Sequence, residues 1–251
     1  MKLVLLGTSG YFANDIRHTA CMMLPEVGVV LDAGTGTYRV ADYLTADFLA
    51  TGRLDVFLTH AHLDHVIGLT YLLGILPSDV LQRSTVYGDG EKLAAIRTHL
   101  FSEPLFPVPP KFELRPLTGE VSLSKNGKLS YFPLQHPGGS IGYRLDWPGS
   151  SLAYVTDTRA KADSPYVEQI RGVNVLVHEA YFPDGADEMA ELTGHSCLSD
   201  VAQVAAAAEV GLLVLVHVDP NLKQDSDLDL RPAKKIFAAT MLGTDRMEID
   251  F

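Results

Sequence analysis

The chain has 251 residues, 47% hydrophobic and 20% charged, with a formal net charge of −11. That is the balance of a globular protein with a sizeable core, and the acidic excess argues against a surface built for long nucleic acid, which is held mainly by lysine and arginine against phosphate. No apolar run reaches the roughly 18 residues of a membrane span, so no membrane partner is expected.

The opening "KLVLL" reads as a strand that stops at "GTSG", and "HTACMML" and "VGVVLDAG" follow as two more, joined by a turn at Pro25 and Glu26. Val40, Leu44 and Phe48 at helical spacing predict a helix from about Tyr38 to Ala50. "LDVFLT" is then a buried strand and "DHVIGLTYLL" a helix with Asp64 in its first turn, where the dipole favours an acid. "STVYG" reads as a strand and "EKLAAIRTHLF" as a helix. From Pro104 to Pro137 prolines, glycines and short alternating runs predict a meander of antiparallel strands, continued by "IGYRLDW" and "SLAYVTD". A helix near Pro165 to Arg171, the strand "VNVLVHE", an alanine-rich helix after Ser199, the strand "LLVLVHV", a helix from Pro232 to Met241 and a closing strand "RMEIDF" complete the chain. No repeat or linker divides residues 1–251, so one domain is expected, and the order of elements suits two mixed sheets packed face to face with helices outside, an αββα sandwich.

"MKLVLLGTSG" is too short in its apolar part for a secretory signal. Cys21 and Cys197 are too few for a disulfide framework and lack a CxxC spacing. A cytoplasmic location is the expectation. The acidic stretch "KQDSDLDL" reads as a solvated loop.

The chemistry concentrates in "LTHAHLDHVIGL", residues 58–69, with three histidines and an aspartate within six positions. On an extended segment His60 and His62 project to the same side, and the turn that follows lets Asp64 and His65 swing back. Burying such groups unpaired costs several kcal/mol, whereas imidazoles with a carboxylate are what zinc and its relatives bind. His136, Asp157 and His217 each end an apolar strand in the same manner. Alone, each would be a cap or turn residue; together with the cluster they supply donors for two metals, with a carboxylate between them and a water left over.

"THAHLDH" resembles the HxHxDH signature of the metallo-β-lactamase superfamily, and His136, Asp157 and His217 match the later ligand motifs of its dinuclear hydrolases. The resemblance implies the αββα fold, His60, His62 and His136 on one metal, Asp64, His65 and His217 on the other, and Asp157 bridging. More narrowly, "VLVHEAYF" and "TGHSCLSDVAQVAAAA" resemble the HEAT and HST motifs of the ribonuclease Z group, as do "LGTSG" with Arg17 and the "TDTR" around Asp157. That implies a catalytic pair of Glu179 and His195, with Asp64 counted in the catalytic set as well as among the ligands. Unaided by the motif, Glu179 would read as a cap or surface acid and His195 as a solvent-facing helix start. His178 points to the opposite face and is left out; His18 and His99 lie outside the motifs.

Two divalent ions, Zn2+ first and Mn2+ or Fe as alternatives, with two carboxylates and a hydroxide, leave about one positive charge in the site. A locally positive pit in an acidic protein suits a small or terminal anionic substrate. The expected reaction is hydrolysis of a phosphodiester by a metal-bridging hydroxide, with His195, held by Glu179, as the proton donor. The arm with which common bacterial ribonucleases Z grip precursor tRNA falls between the third histidine motif and the bridging aspartate. Here only "PGGSIGYRLDWPGSSLAYVT" lies there, so tRNA 3′ processing endonuclease activity is disfavoured unless another exosite or a partner copy in a homodimer substitutes. A lactone, thioester or sulfate ester hydrolase is the other alternative, since the same metals polarise carbonyls.

Overall fold

The structure, a computed structural model, describes residues 1–44 and 52–251. Its first sheet contains β1 (Lys2–Gly7), β2 (Cys21–Leu24), β3 (Val29–Leu31), β4 (Asp55–Phe57), β5 (Thr85–Gly88) and β6 (Glu113–Pro116). The second contains β7 (Val121–Leu123), β8 (Gly127–Leu134), β9 (Ser140–Trp147), β10 (Ser150–Val155), β11 (Val175–Glu179), β12 (Leu212–Val216) and β13 (Thr240–Leu242). The last strand, β14 (Glu248–Asp250), returns to the first sheet beside β1, giving the orders β14-β1-β2-β3-β4-β5-β6 and β13-β12-β11-β10-β9-β8-β7. In each sheet the pairings are antiparallel on one side and parallel on the other, changing at β3 and at β10.

Side-chain alternation sorts the strands between two environments. Leu3, Leu5, Met22, Leu31, Phe57, Tyr143, Tyr154, Val177 and Val214 fill the layer between the sheets. Their neighbours Val4, Leu6, Met23, Val30 and Val56 pack outward under the helices of the first half. Ala153, Val155, Leu176, Leu213 and Leu215 do the same beneath Leu198, Val201 and Ala205 of the alanine-rich helix. With both faces covered, the central strands read as continuous apolar runs, and a polar residue at such a strand's end stands out.

Several elements differ from expectation. The helix expected from Tyr38 to Ala50 is a 3-10 helix over Thr35–Tyr43, and the part carrying Phe48 lies outside the described residues. "DHVIGLTYLL" is broken into Leu63–Val66, a 3-10 turn Ile67–Tyr71 and Leu72–Ile75. β6 is not part of a meander: it runs parallel to β5 at the edge of the first sheet. The predicted helix from Pro232 ends at Ile236, and Thr240–Leu242 is strand β13 instead. A helix over Asp187–Thr193 is additional.

β1, β3 and β4 run the same way, as do β8, β10, β11 and β12, so their carboxyl ends gather along one edge of the sandwich. Asp32, His60, His136, Asp157, Glu179 and His217 all sit at those ends.

Candidate metal centre

All the donors singled out in the sequence converge at that edge. Those of His60, His62, His136 and Asp157 form one group and those of Asp64, His65 and His217 a second, each within 4.8 Å. Asp157 faces both: its Oδ2 is 3.5 Å from His60 Nε2 and from His136 Nε2, and its Oδ1 is 3.3 Å from His65 Nε2 and from His217 Nε2. Asp64 Oδ2 lies 3.3 Å from both His65 Nε2 and His217 Nε2.

The backbone works to achieve this. Asp32, Asp157 and His217 adopt positive φ of 56°, 52° and 51°, a region that costs a residue with a Cβ about 1 kcal/mol or more and that concentrates at functional sites. Each lies just after an apolar strand, where the left-handed turn re-aims the side chain.

Hydrogen bonds on the far side of three of the five rings fix their tautomers. His65 Nδ1 donates to Asp32 Oδ2 at 2.8 Å, and His136 Nδ1 donates to the Gly194 carbonyl at 3.1 Å. Thr59 Oγ1 donates to Asp32 and so accepts from His60 Nδ1 at 3.0 Å. In all three the Nε2 lone pair faces the pocket, among carboxylate oxygens that can only accept. Buried His60 Nε2 has no hydrogen-bond partner. Lone pairs of these three rings aimed at carboxylate oxygens repel them, and a pair of divalent cations bound there would remove the conflict. The donor set therefore fits two metal ions, and nitrogen and oxygen donors of this kind suit zinc and its neighbours.

Glu179 is fully buried at the end of β11. Its Oε1 accepts from Thr158 N at 2.7 Å and from His195 Nδ1 at 3.1 Å, and its Oε2 accepts from Ser196 N at 3.2 Å. The carboxylate thereby ties the residue after Asp157 to the His195 loop. Burial lowers the His195 pKa, but the charge and hydrogen bond of Glu179, with Asp157 and Asp64 farther off, outweigh it and lift it to about 9; dications bound nearby would act in the opposite sense. The ring stacks on Tyr181 at 4.9 Å and on His217 at 5.4 Å, and a nitrogen lies within 4.8 Å of donors on Asp157 and His217. Arg159 bonds Asp200 at 2.6 Å and Asp187 at 3.0 Å, pinning the helices on either side of His195. Gly194, at φ 73°, closes the preceding helix; a Cβ there would lie 2.6 Å from Pro137, so glycine is needed for the close approach to His136.

Sequence reasoning overlooked Asp32, Thr59, Gly194, Ser196 and Tyr181, which hold the donors without joining them. Arg17 proves structural: its guanidinium bonds Thr8, the Gly243 carbonyl and Asp225. His18 is half-buried against Thr35, and His99 is exposed.

His178 points away from the pocket, as its register requires, and is buried against Tyr166 Oη at 3.1 Å. Burial depresses its pKa, more than the neighbouring Glu179 carbonyl and charge restore. The unfolded chain then binds the extra proton, so this contribution to stability is complete above the ordinary imidazole pKa of about 6.5 and declines as pH falls through and below it, by up to ~1.4 kcal/mol per pH unit. Urea midpoints measured at pH 7 and pH 5 should fall less for His178→Gln than for the parent chain.

Nitrogen and oxygen donors converging on the shared edge of two packed mixed sheets are the working parts of a metal-dependent hydrolase. The family is given by the sequence profile described as "Beta-lactamase superfamily domain", which matches residues 29–218: the chain belongs to that superfamily, and it is a hydrolase of the metal-dependent kind. Among curated relatives it is 28% identical to "Ribonuclease Z" of Synechococcus sp. (strain CC9605), over 100% of this chain and 98% of the relative. It is 26% identical to "Ribonuclease BN" of Escherichia coli O139:H28, over 98% of each. The fold is shared with the metallo-beta-lactamase fold protein YhfI of Bacillus subtilis, at 15% identity, TM-score 0.79 and 99% coverage of both chains. It is shared too with the short form of human tRNase Z, at 20% identity, TM-score 0.73 and coverage of 100% and 99%. No helix among the described residues is long and apolar enough to cross a membrane.

Proposed function

We propose that the protein is a dinuclear phosphodiesterase acting on a small or terminal phosphodiester, with residues 1–251 as one domain. His60, His62 and His136 would hold one ion, Asp64, His65 and His217 the other, and Asp157 both. Zinc is the first choice, and manganese or iron also suits these donors. When bound, such a pair supplies Lewis-acid polarisation and makes water acidic enough to ionise near neutral pH.

The observation that carries the reading is the Glu179–His195 pair beside the donor cradle. Expelling an alkoxide from phosphorus needs a proton, and His195 can give one from Nε2 while Glu179 holds Nδ1. Thr158 N and Ser196 N hold the Glu179 carboxylate in place. Acyl hydrolysis makes less demand on such a donor, so the pair favours phosphodiesters over lactones or thioesters.

The arm's place supports a small substrate. β9 and β10 are joined there by a tight turn at Pro148 and Gly149, and the alignment with the Synechococcus relative runs to 317 positions against 251 residues here. Precursor tRNA is thus the second choice, kept because the relatives carry ribonuclease names. The test compares hydrolysis of bis(p-nitrophenyl) phosphate, a cyclic nucleotide, an acyl lactone and a precursor tRNA by metal-loaded protein. Turnover of the first two is expected; rapid lactone opening with neither phosphodiester cleaved would overturn the assignment.

A further inference from the structure

The loop after β1 carries a feature that the metal centre does not explain. Phe12 N donates to the Gly10 carbonyl at 2.7 Å, closing a three-residue turn whose central residue, Tyr11, sits at φ 57°. Turns of this hand are rare and strained, and glycine would adopt the conformation freely. The fold uses only the backbone of Tyr11, whose N–H donates to Asp64 Oδ2 at 3.0 Å. Its side chain is 72% exposed, touching Phe12, itself 44% exposed, edge-on at 5.5 Å.

The position is tightly set. A Cβ at Gly10 would lie 2.6 Å from the His217 ring and 2.9 Å from Tyr181, so the chain passes directly over the Asp64 side of the pocket and Tyr11 is the next residue out. Ser9 N bonds His18 O at 2.8 Å and Gly10 N bonds Val218 O at 3.0 Å, so the ring is presented on a fixed loop, with little ordering cost on binding. A strained backbone carrying a large, uncovered aromatic ring beside the reacting centre gains the fold nothing.

The geometry points to Tyr11, with Phe12 behind it, as a stacking platform for a planar ring on the substrate, a nucleobase or another aryl group, and this rests on the phosphodiester reading above. Tyr11 is then a specificity-determining residue. Stacking of a base on an aromatic side chain is strong enough to change affinity by about tenfold or more.

The test is calorimetric binding of adenosine 5′-monophosphate, phenyl phosphate and ribose 5-phosphate to metal-loaded protein, for the parent chain, Tyr11→Gly and Tyr11→Trp. Glycine suits the backbone and keeps the N–H on Asp64. The parent should prefer at least one ring-bearing phosphate over ribose 5-phosphate by about tenfold; preference for the nucleotide alone identifies a base, and for both an aryl group. Tyr11→Gly should reduce that preference to within about twofold without lowering Tm, and Tyr11→Trp should keep it. Equal binding of all three ligands by the parent, a preference that survives in Tyr11→Gly, or a lower Tm in that variant would overturn the platform. Failure of the phosphodiester reading shows separately, as absent hydrolysis of bis(p-nitrophenyl) phosphate whatever the binding ratios.

Discussion

Replacing His195 with alanine is expected to leave two metal ions per chain while lowering kcat for an alkyl phosphodiester by about a hundredfold to ten-thousandfold. That corresponds to roughly 3–5 kcal/mol of barrier. The reason is local. His195 stands outside the two groups of donors but within reach of Asp157 and His217, and Glu179 bonds its Nδ1, leaving Nε2 for a leaving oxygen. A nitrophenolate departs without protonation, so bis(p-nitrophenyl) phosphate should lose much less. Elemental analysis beside the two rates separates the outcomes. Equal loss on both substrates would remove the proton-donor role, and loss of metal would make His195 a ligand.

Glu179→Gln should reproduce part of that loss while keeping the shape of the site. With its oxygen in the Oε1 place the amide still accepts from Thr158 N and His195 Nδ1, but its NH2 group then faces Ser196 N, which donates to Oε2 in the parent. One hydrogen bond is lost and the imidazolium loses its counter-charge. Rates on the alkyl diester over pH would show a lower apparent pKa for the acidic group than in the parent.

The donors were legible in the sequence because of how the fold builds them. Sheets covered on both faces demand apolar strands, so His136, Asp157 and His217 appear as polar interruptions at strand ends, and the quartet from His60 to His65 is contiguous. The partners that orient them were not. Asp32 ends "VVL" as a lone acid, indistinguishable from a turn residue until Thr59, His65 and Tyr154 close on it from distant parts of the chain. β6 was misjudged because its partner β5 lies in another part of the sequence and nothing in "ELRP" reports parallel pairing. The helix over Asp187–Thr193 did carry signals, acids in its first turn and Gly194 after its last, and these were missed. The alternation of "AATML" fits a helix end or a short edge strand alike, and only pairing with β12 decides it.

Asp32 is where fold and site are most tightly joined, and Asp32→Ala is expected to damage both. Its carboxylate is fully buried, accepting at Oδ1 from Thr59 N at 2.8 Å and at Oδ2 from His65 Nδ1 at 2.8 Å and Tyr154 Oη at 2.9 Å. Removing it strands those donors between the two sheets, a change that typically costs about 3–5 kcal/mol when a buried charged partner is lost. The same change frees His65 to rotate or to switch tautomer, and partners of metal-binding imidazoles are commonly worth about 10- to 100-fold in metal affinity. Asp32→Asn tells the two effects apart. The amide oxygen can still accept from Thr59 or from His65, so much of the stability should return, whereas the negative charge that makes the His65 imidazole a stronger donor does not. Competition with a chelator should therefore show weakened metal binding in Asp32→Asn even where its urea midpoint approaches the parent's. Metal affinity unchanged in both variants would mean that the His65 orientation is set by packing alone, and that the bond to Asp32 serves only the core.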